Sequence, residues 1–341
     1  MNVRQSPRPP RRQVLKGAGA IGAATVLLVG GGVIGWQTLA DRPEPVTAVQ
    51  PAKDPSLRAL AEAAVSGGPG KDGIPAVDEP RFVTAGEARF LDDDDVVFGL
   101  EHRGEVRAYP QLVLVWHEIV NDTVAGEPLA VTYCPLTGTA VGFRAPPGVQ
   151  DLTFGTTGKL VNSNLLMYDR QTGSQWPQLI GTAVSGPLEG TELATVPLVW
   201  TTWKQWRTAH PDTRVLSTDT GALRGYGSDP YGSYPDRSGY YAEGGPLFPV
   251  AHSSDRFGDK HVVVGVRVAG RHLAIDKDLV RENRVVRTDL GGTQVEARWD
   301  DRLGTARVLQ RAGDGRWVPA DHLDAMWFAW YAFHPGTQVR T

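Results

Sequence analysis

The chain contains segments that repeat each other, and this repetition is the strongest constraint on how it can fold. The pattern Trp-x-x-Trp-x-x-x-His-Pro-x-Thr-x-Val occurs at residues 203–215 and again, with identical spacing, at residues 327–339. Further upstream, an apolar stretch with a glycine at residues 96–100 is matched by a similar stretch at residues 262–266. We therefore predict two related units that descend from one copied segment.

Each unit is predicted to be rich in β-strands. Alternating apolar and polar residues around Gly104 and Gly270 indicate a hairpin in each unit, and tryptophans three residues apart indicate a short closing helix. We place the units at about 80–217 and 255–341, and expect them to share one core because the second is short. The predicted fold class is α+β, mainly β: two pseudo-repeated β-rich units, each closed by a short helix, packed as one domain.

Residues 1–40 differ from the rest of the chain. Arg11 and Arg12 precede an uncharged run rich in Gly, Ala, Val and Leu, which is the arrangement of a twin-arginine export signal. A transmembrane anchor is the alternative, because the run is long enough to cross a bilayer. The prolines and glycines of residues 41–78 are typical of a flexible linker, which leaves residues 79–341 as the folded domain.

This N-terminus predicts an exported protein. We expect it at the outer face of the cytoplasmic membrane, in the periplasm or outside the cell, with the membrane as a partner if the first segment is not cleaved. The formal net charge is −3, and without the five basic residues of the first forty positions it falls to −8. A negative surface disfavours binding to nucleic acids. Motifs of serine triads, phosphate loops and dinucleotide-binding folds are also missing from the sequence.

Cys134 is the only cysteine of the 341 residues. A predicted strand, residues 129–133, leads into it, and residues 135–138 have the composition of a turn. Structural cysteines of exported proteins are normally paired, and this one has no partner in its own chain. It is retained either for its reactivity or as a small buried hydrophobe. We predict a cleft centred on this residue.

The two units provide a comparison for the candidate residues. In the register of the repeat, the position of Cys134 is occupied by Asp300 in the second unit, and that of His117 by Asn283. Residues present in one unit only are what a site built on a repeated scaffold should show. By contrast, the histidines of the two tryptophan motifs occupy equivalent positions before a proline, which favours a structural role at a helix end.

Three blocks carry a resemblance to a known family: residues 133–138, residues 164–177 and residues 203–211. They resemble the exported bacterial and archaeal family catalogued as domain of unknown function 3179. The resemblance covers roughly residues 75–341. It implies a protein that follows a secretion signal or lipoprotein anchor, which fits the N-terminus, and it implies no activity, because none is established for the family.

The first functional hypothesis is a thiol-dependent enzyme. Cys134 would be the nucleophile and His117 the base that removes its proton, with Glu118 or Asp169 as the group that orients the histidine. A block found in the first unit only, residues 162–177, supplies candidate substrate contacts: Asn164, Asp169, Arg170 and Trp176. The pair formed by Asp169 and its neighbour is also typical of a structural ion pair or a turn cap.

The second hypothesis is a metal-binding protein, with copper as the candidate cofactor. Thiolate, imidazole and thioether ligands suit copper, and Cys134, His117 and Met167 would supply them, together with His210 or His252. The third hypothesis is a non-enzymatic module that binds carbohydrate or an envelope polymer through aromatic side chains. The tyrosine-rich stretch between the two units would be either a lid over the cleft or an irregular loop.

Overall fold

The computed structural model describes residues 57–149, 151–242 and 244–341. The predicted export signal, residues 1–40, lies outside the described residues, so export and the membrane partner stay predictions. Within the described part of the chain, no helix combines the length and the apolar character that a membrane crossing requires.

The described residues are mainly β, with short helices, which confirms the predicted fold class. The helices are α1 (Leu57–Glu62), α2 (Gln111–Leu114), α3 (Trp203–Ala209), α4 (Lys277–Asn283) and α5 (Trp327–Phe333). The strands are β1 (Val65–Ser66), β2 (Phe82–Thr84), β3 (Val96–His102), β4 (Glu105–Pro110), β5 (Ile119–Val124), β6 (Glu127–Cys134), β7 (Thr139–Arg144), β8 (Phe154–Val161), β9 (Asn164–Asp169), β10 (Gln175–Pro177), β11 (Ala194–Val196), β12 (Val199–Thr202), β13 (Arg214–Leu216), β14 (Gly232–Ser233), β15 (Ser238–Gly239), β16 (Val262–Val268), β17 (Arg271–Asp276), β18 (Val285–Leu290), β19 (Thr293–Asp300), β20 (Thr305–Arg311), β21 (Trp317–Pro319), β22 (Asp321–Met326) and β23 (Gln338–Arg340).

Two sheets form the first unit. One has the strand order β12-β3-β4-β13-β2, and the other has the order β11-β7-β6-β5. The hairpin predicted around Gly104 is β3 paired with β4, and the strand that follows α3 returns to lie parallel to β4. Most of β3, β6 and β7 is buried, as expected for strands that are covered on both faces.

The second unit has the same arrangement. Its sheets have the orders β22-β16-β17-β23 and β18-β19-β20-β21, and β23 lies parallel to β17 as β13 does to β4. Strand for strand, these orders match those of the first unit when the extra edge strand β2 is left aside. The descent of both units from one copied segment stays a prediction.

The repeated tryptophans explain why each unit closes in this way. Trp206 of α3 packs so closely on Gly99 that a Cβ at this glycine would lie 2.1 Å from the indole. In the same way, a Cβ at Gly265 would lie 2.3 Å from the indole of Trp330 in α5. Each indole N–H also donates to the threonine hydroxyl seven residues later, at 3.0 Å in both units. Packing and this hydrogen bond therefore fix the second tryptophan and the threonine of each motif, and packing fixes the glycine of the upstream strand.

The first unit carries additions that the second lacks. Between β7 and β11, the hairpin of β8 and β9 joins β1 and β10 in a separate sheet. Asn162 and Ser163 both have positive φ and form the two-residue turn of this hairpin, as in a type I′ turn. The end of the predicted linker contributes regular structure here, since β1 pairs with β8 and Val77 bridges to Val120. The domain boundaries drawn from the sequence stay a prediction.

Candidate functional site around Cys134

Cys134 ends strand β6, at the point where the chain turns back into β7. It pairs with Thr139 across the hairpin, and its carbonyl accepts the backbone N–H of Thr137 at 3.3 Å. Gly138 completes the turn with φ +58°, a conformation that favours glycine. The side chain of Cys134 is fully buried beneath the β8–β9 hairpin, where its Sγ accepts the backbone N–H of Leu165 at 3.4 Å.

The charge of Glu118 acts on this thiol. Its backbone N–H bonds to the carbonyl of Leu114 at 2.7 Å, and its own carbonyl accepts the N–H of Tyr133 at 2.8 Å, which ties it to the end of β6. The residue is 6% exposed, and its carboxyl group makes no hydrogen bond to any described residue. Its carboxyl oxygens are not among the buried side-chain atoms that lack a partner, so both keep some accessible surface.

Burial controls the acidity of both groups. It raises the pKa of Glu118 to about 8, and it raises the pKa of Cys134 to about 11, to which the nearby charge of Glu118 also contributes. Tyr231 and Tyr240 lie close enough for Cys134 to act on them, and burial raises the pKa of both phenols. At pH 7 the thiol, the carboxyl group and the phenols are therefore mainly protonated, and the resting site is uncharged.

The tyrosine-rich stretch covers this site. We call residues 225–242 the tyrosine segment; within it only β14 and β15 form a short hairpin. Tyr240 donates its hydroxyl proton to the carbonyl of Leu136, at 2.6 Å, in the turn that follows Cys134. Tyr241 bonds to Asp229 at 2.8 Å, and that carboxylate also accepts a hydrogen bond from Gln111 at 2.6 Å. The segment is thus held in place by polar contacts with the first unit.

His117 makes hydrogen bonds to residues other than Cys134, the partner that the sequence predicts. Its Nδ1 lies 2.7 Å from the carbonyl oxygen of Pro75, and its Nε2 lies 2.7 Å from the hydroxyl of Tyr226. Burial lowers the pKa of this imidazole. Because both ring nitrogens are engaged, the structure does not place His117 as a base for Cys134, and its catalytic role stays a prediction.

A buried polar network lies beside the turn after Cys134. The hydroxyls of Thr137 and Thr139 are 2.8 Å apart, and Thr139 donates to Gln178 Oε1 at 2.7 Å. Asn164 donates to Thr137 at 3.0 Å and accepts the backbone N–H of Leu179 at 2.8 Å. Asn164, predicted as a substrate contact, therefore holds the β6–β7 turn against β9. A candidate role in binding stays untested.

The other predicted substrate contacts lie in a turn. Asp169 is fully buried and accepts hydrogen bonds from the backbone N–H of Thr172, at 2.6 Å, and from the indole of Trp176, at 3.0 Å. Arg170 forms an ion pair with Asp78 at 2.6 Å. These contacts are those of a turn cap and a structural ion pair, and none of them reaches Cys134.

The ligand set predicted for copper is not assembled around Cys134. Met167 is fully buried in the apolar core, and the Nε2 atoms of His210 and His252 are buried without a hydrogen-bond partner. Within the described residues, the one group of at least three His, Cys, Asp or Glu ligand atoms lying within 4.8 Å of one another is His261, Asp276 and Asp278. This group belongs to the second unit, and Asp276 already caps helix α4.

A cleft of about 550 Å³ lies on another side of the tyrosine segment. Trp200 and Gln205 contribute from the first unit, Tyr234 and Arg237 from the tyrosine segment, and residues such as Lys260 from the second unit. Cys134 lies in the apolar core and does not line this cleft, so the predicted cleft centred on Cys134 is not confirmed. The cleft and the thiol site are nevertheless neighbours, because Met326, which lines the cleft, donates its backbone N–H to Thr137 at 3.0 Å.

The sequence predicts Cys134 as the nucleophile and His117 as its base, and both roles stay predictions. Glu118 was considered only as the group that orients His117. Two signals pointed to it: it adjoins the candidate histidine, and the register of the repeat replaces it with Arg284. The tyrosine segment was predicted as either a lid or a loop, and it lies against the site.

A model of the family described as "Protein of unknown function (DUF3179)" matches residues 71–337. The comparisons with curated proteins and with solved structures gave no match.

Proposed function

The chain belongs to this family of proteins of unknown function, and we propose that it acts as a thiol-dependent enzyme in which Cys134 is the nucleophile and Glu118 is its proton acceptor. This assignment keeps the nucleophile that the sequence predicts and replaces the base. The observation that carries it is the carboxyl group of Glu118, which makes no hydrogen bond within the described residues and whose charge acts on the only thiol of the chain.

The acidity of the carboxyl group supports this role. A group that serves as a general base works best when its pKa lies near the operating pH, and burial brings that of Glu118 to about 8. Cys134, with a pKa of about 11, is a poor nucleophile by itself at neutral pH. The ionised form of Glu118, whose charge acts on the thiol, supplies the acceptor that Cys134 needs. The gap of about three units costs about 4 kcal/mol for the proton transfer, which is modest on the scale of enzymatic barriers.

The proposed step is the transfer of an acyl group to sulfur. The thiol proton passes to the Glu118 carboxylate while the sulfur forms a bond to the carbonyl carbon of the substrate. The bond to the leaving group then breaks, and the leaving group departs with the electron pair and takes the proton from Glu118. The backbone N–H of Leu165, 3.4 Å from Sγ, stabilises the negative charge that develops on sulfur.

Access to the thiol requires the tyrosine segment to move. Cys134 is fully buried, and opening must break hydrogen bonds of the segment, such as that of Tyr240 to Leu136, and withdraw Tyr241, which is 3% exposed, from the apolar core. The open form is therefore a minor state reached by local unfolding. Opening would uncover both Cys134 and Glu118.

The test uses p-nitrophenyl acetate as a small acyl donor and intact-mass detection of the acetylated protein. We expect wild-type protein to be acetylated at Cys134 at a rate that rises with pH through about 8, as Glu118 becomes ionised. Glu118→Gln should lower this rate at least tenfold and abolish the inflection near pH 8. Arg284→Gln, the equivalent position of the second unit, is the matched control and should leave the rate unchanged.

Two results would overturn the proposal. One is a native protein that stays unlabelled at pH 8 under conditions that fully label the urea-unfolded chain. The other is a Glu118→Gln variant that is acetylated with the rate and pH profile of the wild type. Cys134→Ala identifies acetylation at any other residue.

A further inference from the structure

The cleft of about 550 Å³ has the size of a site for a small molecule. It lies where three parts of the chain meet. Trp200 and Gln205 come from the end of the first unit, Tyr234 and Arg237 from the tyrosine segment, and Lys260 from the start of the second unit. This site is separate from the thiol and carboxyl group described above.

Lys260 is the first indication of the ligand. The residue is 7% exposed, which is unusual for a lysine that has no carboxylate partner. Its ammonium donates to the carbonyl oxygen of Tyr240 and lies over the ring of the same residue, 3.9 Å from the centroid. The charge of Asp259 acts on it, yet none of the ion pairs within the described residues includes it. One carbonyl and one ring leave the positive charge incompletely compensated.

Arg237 is a second cation in the lining of the cleft. Its guanidinium donates to the backbone carbonyl of Lys260 at 3.5 Å, so the two residues are neighbours. Across the residues that the structure describes, it forms no ion pair either. The two adjacent cations repel each other, and an anion bound between them removes that repulsion. Arginine is also suited to a carboxylate, because its donors form a planar fork.

The remaining lining narrows the class of anion. Trp200 and Tyr234 present aromatic rings whose centroids are 5.0 Å apart, and such rings pack against a flat or ring-shaped body. Three carboxylates line the same cleft: Asp94, Asp236 and Asp278. A multiply charged anion such as a phosphate ester would be repelled by these groups, which favours a single negative charge.

We infer that the cleft binds a small organic acid, in which one carboxylate lies between Arg237 and Lys260 and a ring-shaped body packs against Trp200 and Tyr234. The tyrosine segment supplies part of this site and also covers Cys134, so a ligand in the cleft would contact the element that controls access to the thiol. The inference is independent of the thiol chemistry, since it rests on residues that do not touch Cys134.

The test is a ligand-observed NMR titration with two matched pairs, benzoate with benzamide and glucuronate with glucose. We expect the acid of at least one pair to bind about tenfold more tightly than its neutral partner, as a charge-assisted contact with Arg237 requires. Arg237→Ala should reduce binding of that acid to the level of its neutral partner. Arg237 is exposed, so this variant should fold normally. Lys260→Met, which keeps the packed stem, should have the same effect.

Arg89→Ala, at an exposed arginine that does not line the cleft, is the control and should leave binding unchanged. The inference is wrong if neither acid binds more tightly than its neutral partner, or if neither acid binds at all at millimolar concentration. It is also wrong if the advantage of the acid survives in Arg237→Ala, or if Arg89→Ala removes it to the same extent. None of these outcomes depends on whether Cys134 is acetylated.

Discussion

The first and second units share their backbone at the positions where the candidate site lies, and differ in the side chains placed there. Glu118 has φ +59° and Arg284 has φ +65°, and each follows a short helix. Their carbonyl groups accept equivalent hydrogen bonds at 2.8 Å, from Tyr133 and from Trp299. The left-handed conformation of Glu118 is therefore a property of the scaffold, and by itself it gives no evidence of a functional site.

The side chains at these positions, unlike the backbone, differ between the two units. Arg284 is exposed and forms an ion pair with Asp301. Asp300, at the position of Cys134, accepts backbone N–H groups of the following turn, from Arg302 at 3.0 Å and from Leu303 at 3.3 Å. The second unit thus uses these positions for a surface ion pair and a turn. The buried acid and the thiol are therefore particular to the first unit, where Cys134 packs in the apolar core.

Replacing the buried acid should produce the largest change in stability. The folded pKa of Glu118 is about 8, above the ordinary value of 4.5, so the folded protein retains a proton that the unfolded chain releases. The stability that this retained proton contributes is complete below pH 4.5 and is lost as the pH rises through 8. The loss is at most about 5 kcal/mol. We expect wild-type stability to fall between about pH 5 and 8, and Glu118→Gln to flatten this part of the curve.

Urea unfolding across this pH range measures the effect. Arg284→Gln, at the same backbone position, should change the free energy of unfolding by less than about 0.5 kcal/mol and leave the slope with pH as it is in the wild type, because a surface ion pair contributes little. A slope that persists in Glu118→Gln would show that another group causes it. If Arg284→Gln changed the free energy of unfolding more than Glu118→Gln does, the second unit and not the first would depend on this position.

Both units share a close contact between a glycine and a tryptophan of the closing helix, and substitutions of these glycines test it. An alanine at Gly99 would place its Cβ 2.1 Å from Trp206, and an alanine at Gly265 would place it 2.3 Å from Trp330. Because both indoles are fully buried, neither can move aside easily. We expect each substitution to destabilise the protein by about 3 kcal/mol, the upper part of the usual range for overpacking.

Gly86→Ala is the control, since a Cβ at this position would meet no atom within 4 Å. It should change the free energy of unfolding by less than about 0.5 kcal/mol. If Gly99→Ala were severe and Gly265→Ala neutral, the two helices would not pack equivalently in solution, and the match between the units would be limited to strand order.

Local pattern predicted the repeated elements well. Alternating residues gave the hairpins β3–β4 and β16–β17, and the tryptophan spacing gave the closing helices, because these features are encoded within a few residues. The parallel pairing of β13 with β4 depends on chain segments about a hundred residues apart, and no local signal specifies it. The contact of Gly99 with Trp206 is of the same kind and becomes visible only in the folded unit.

The candidate site was predicted less completely, for a physical reason. Composition and the repeat were enough to single out Cys134. The sequence predicts His117 as the base, because imidazole is the usual base. The acidity of Glu118, the base proposed above, arises from burial that the sequence does not show. The charge of Glu118 acts on Tyr231 of the tyrosine segment, which is remote in the chain. Asp169 was more predictable, since Asp followed by Thr and Gly is typical of a capped turn.

The smallest predicted effect is the loss of the threonine hydroxyl beneath each closing helix. It should differ between the two units, because the threonine is buried in the first unit and partly exposed in the second. Thr213→Val and Thr337→Val each remove the hydroxyl that accepts the indole N–H of the preceding tryptophan, at 3.0 Å in both units. Thr213 is 1% exposed, so its loss leaves the N–H of Trp206 unpaired, at a cost of about 2 kcal/mol. Thr337 is partly exposed, so water replaces the lost acceptor and the cost should be about 0.5 kcal/mol. Urea unfolding of both variants distinguishes these values, and equal losses would mean that the exposure of the second unit does not moderate its closing contact.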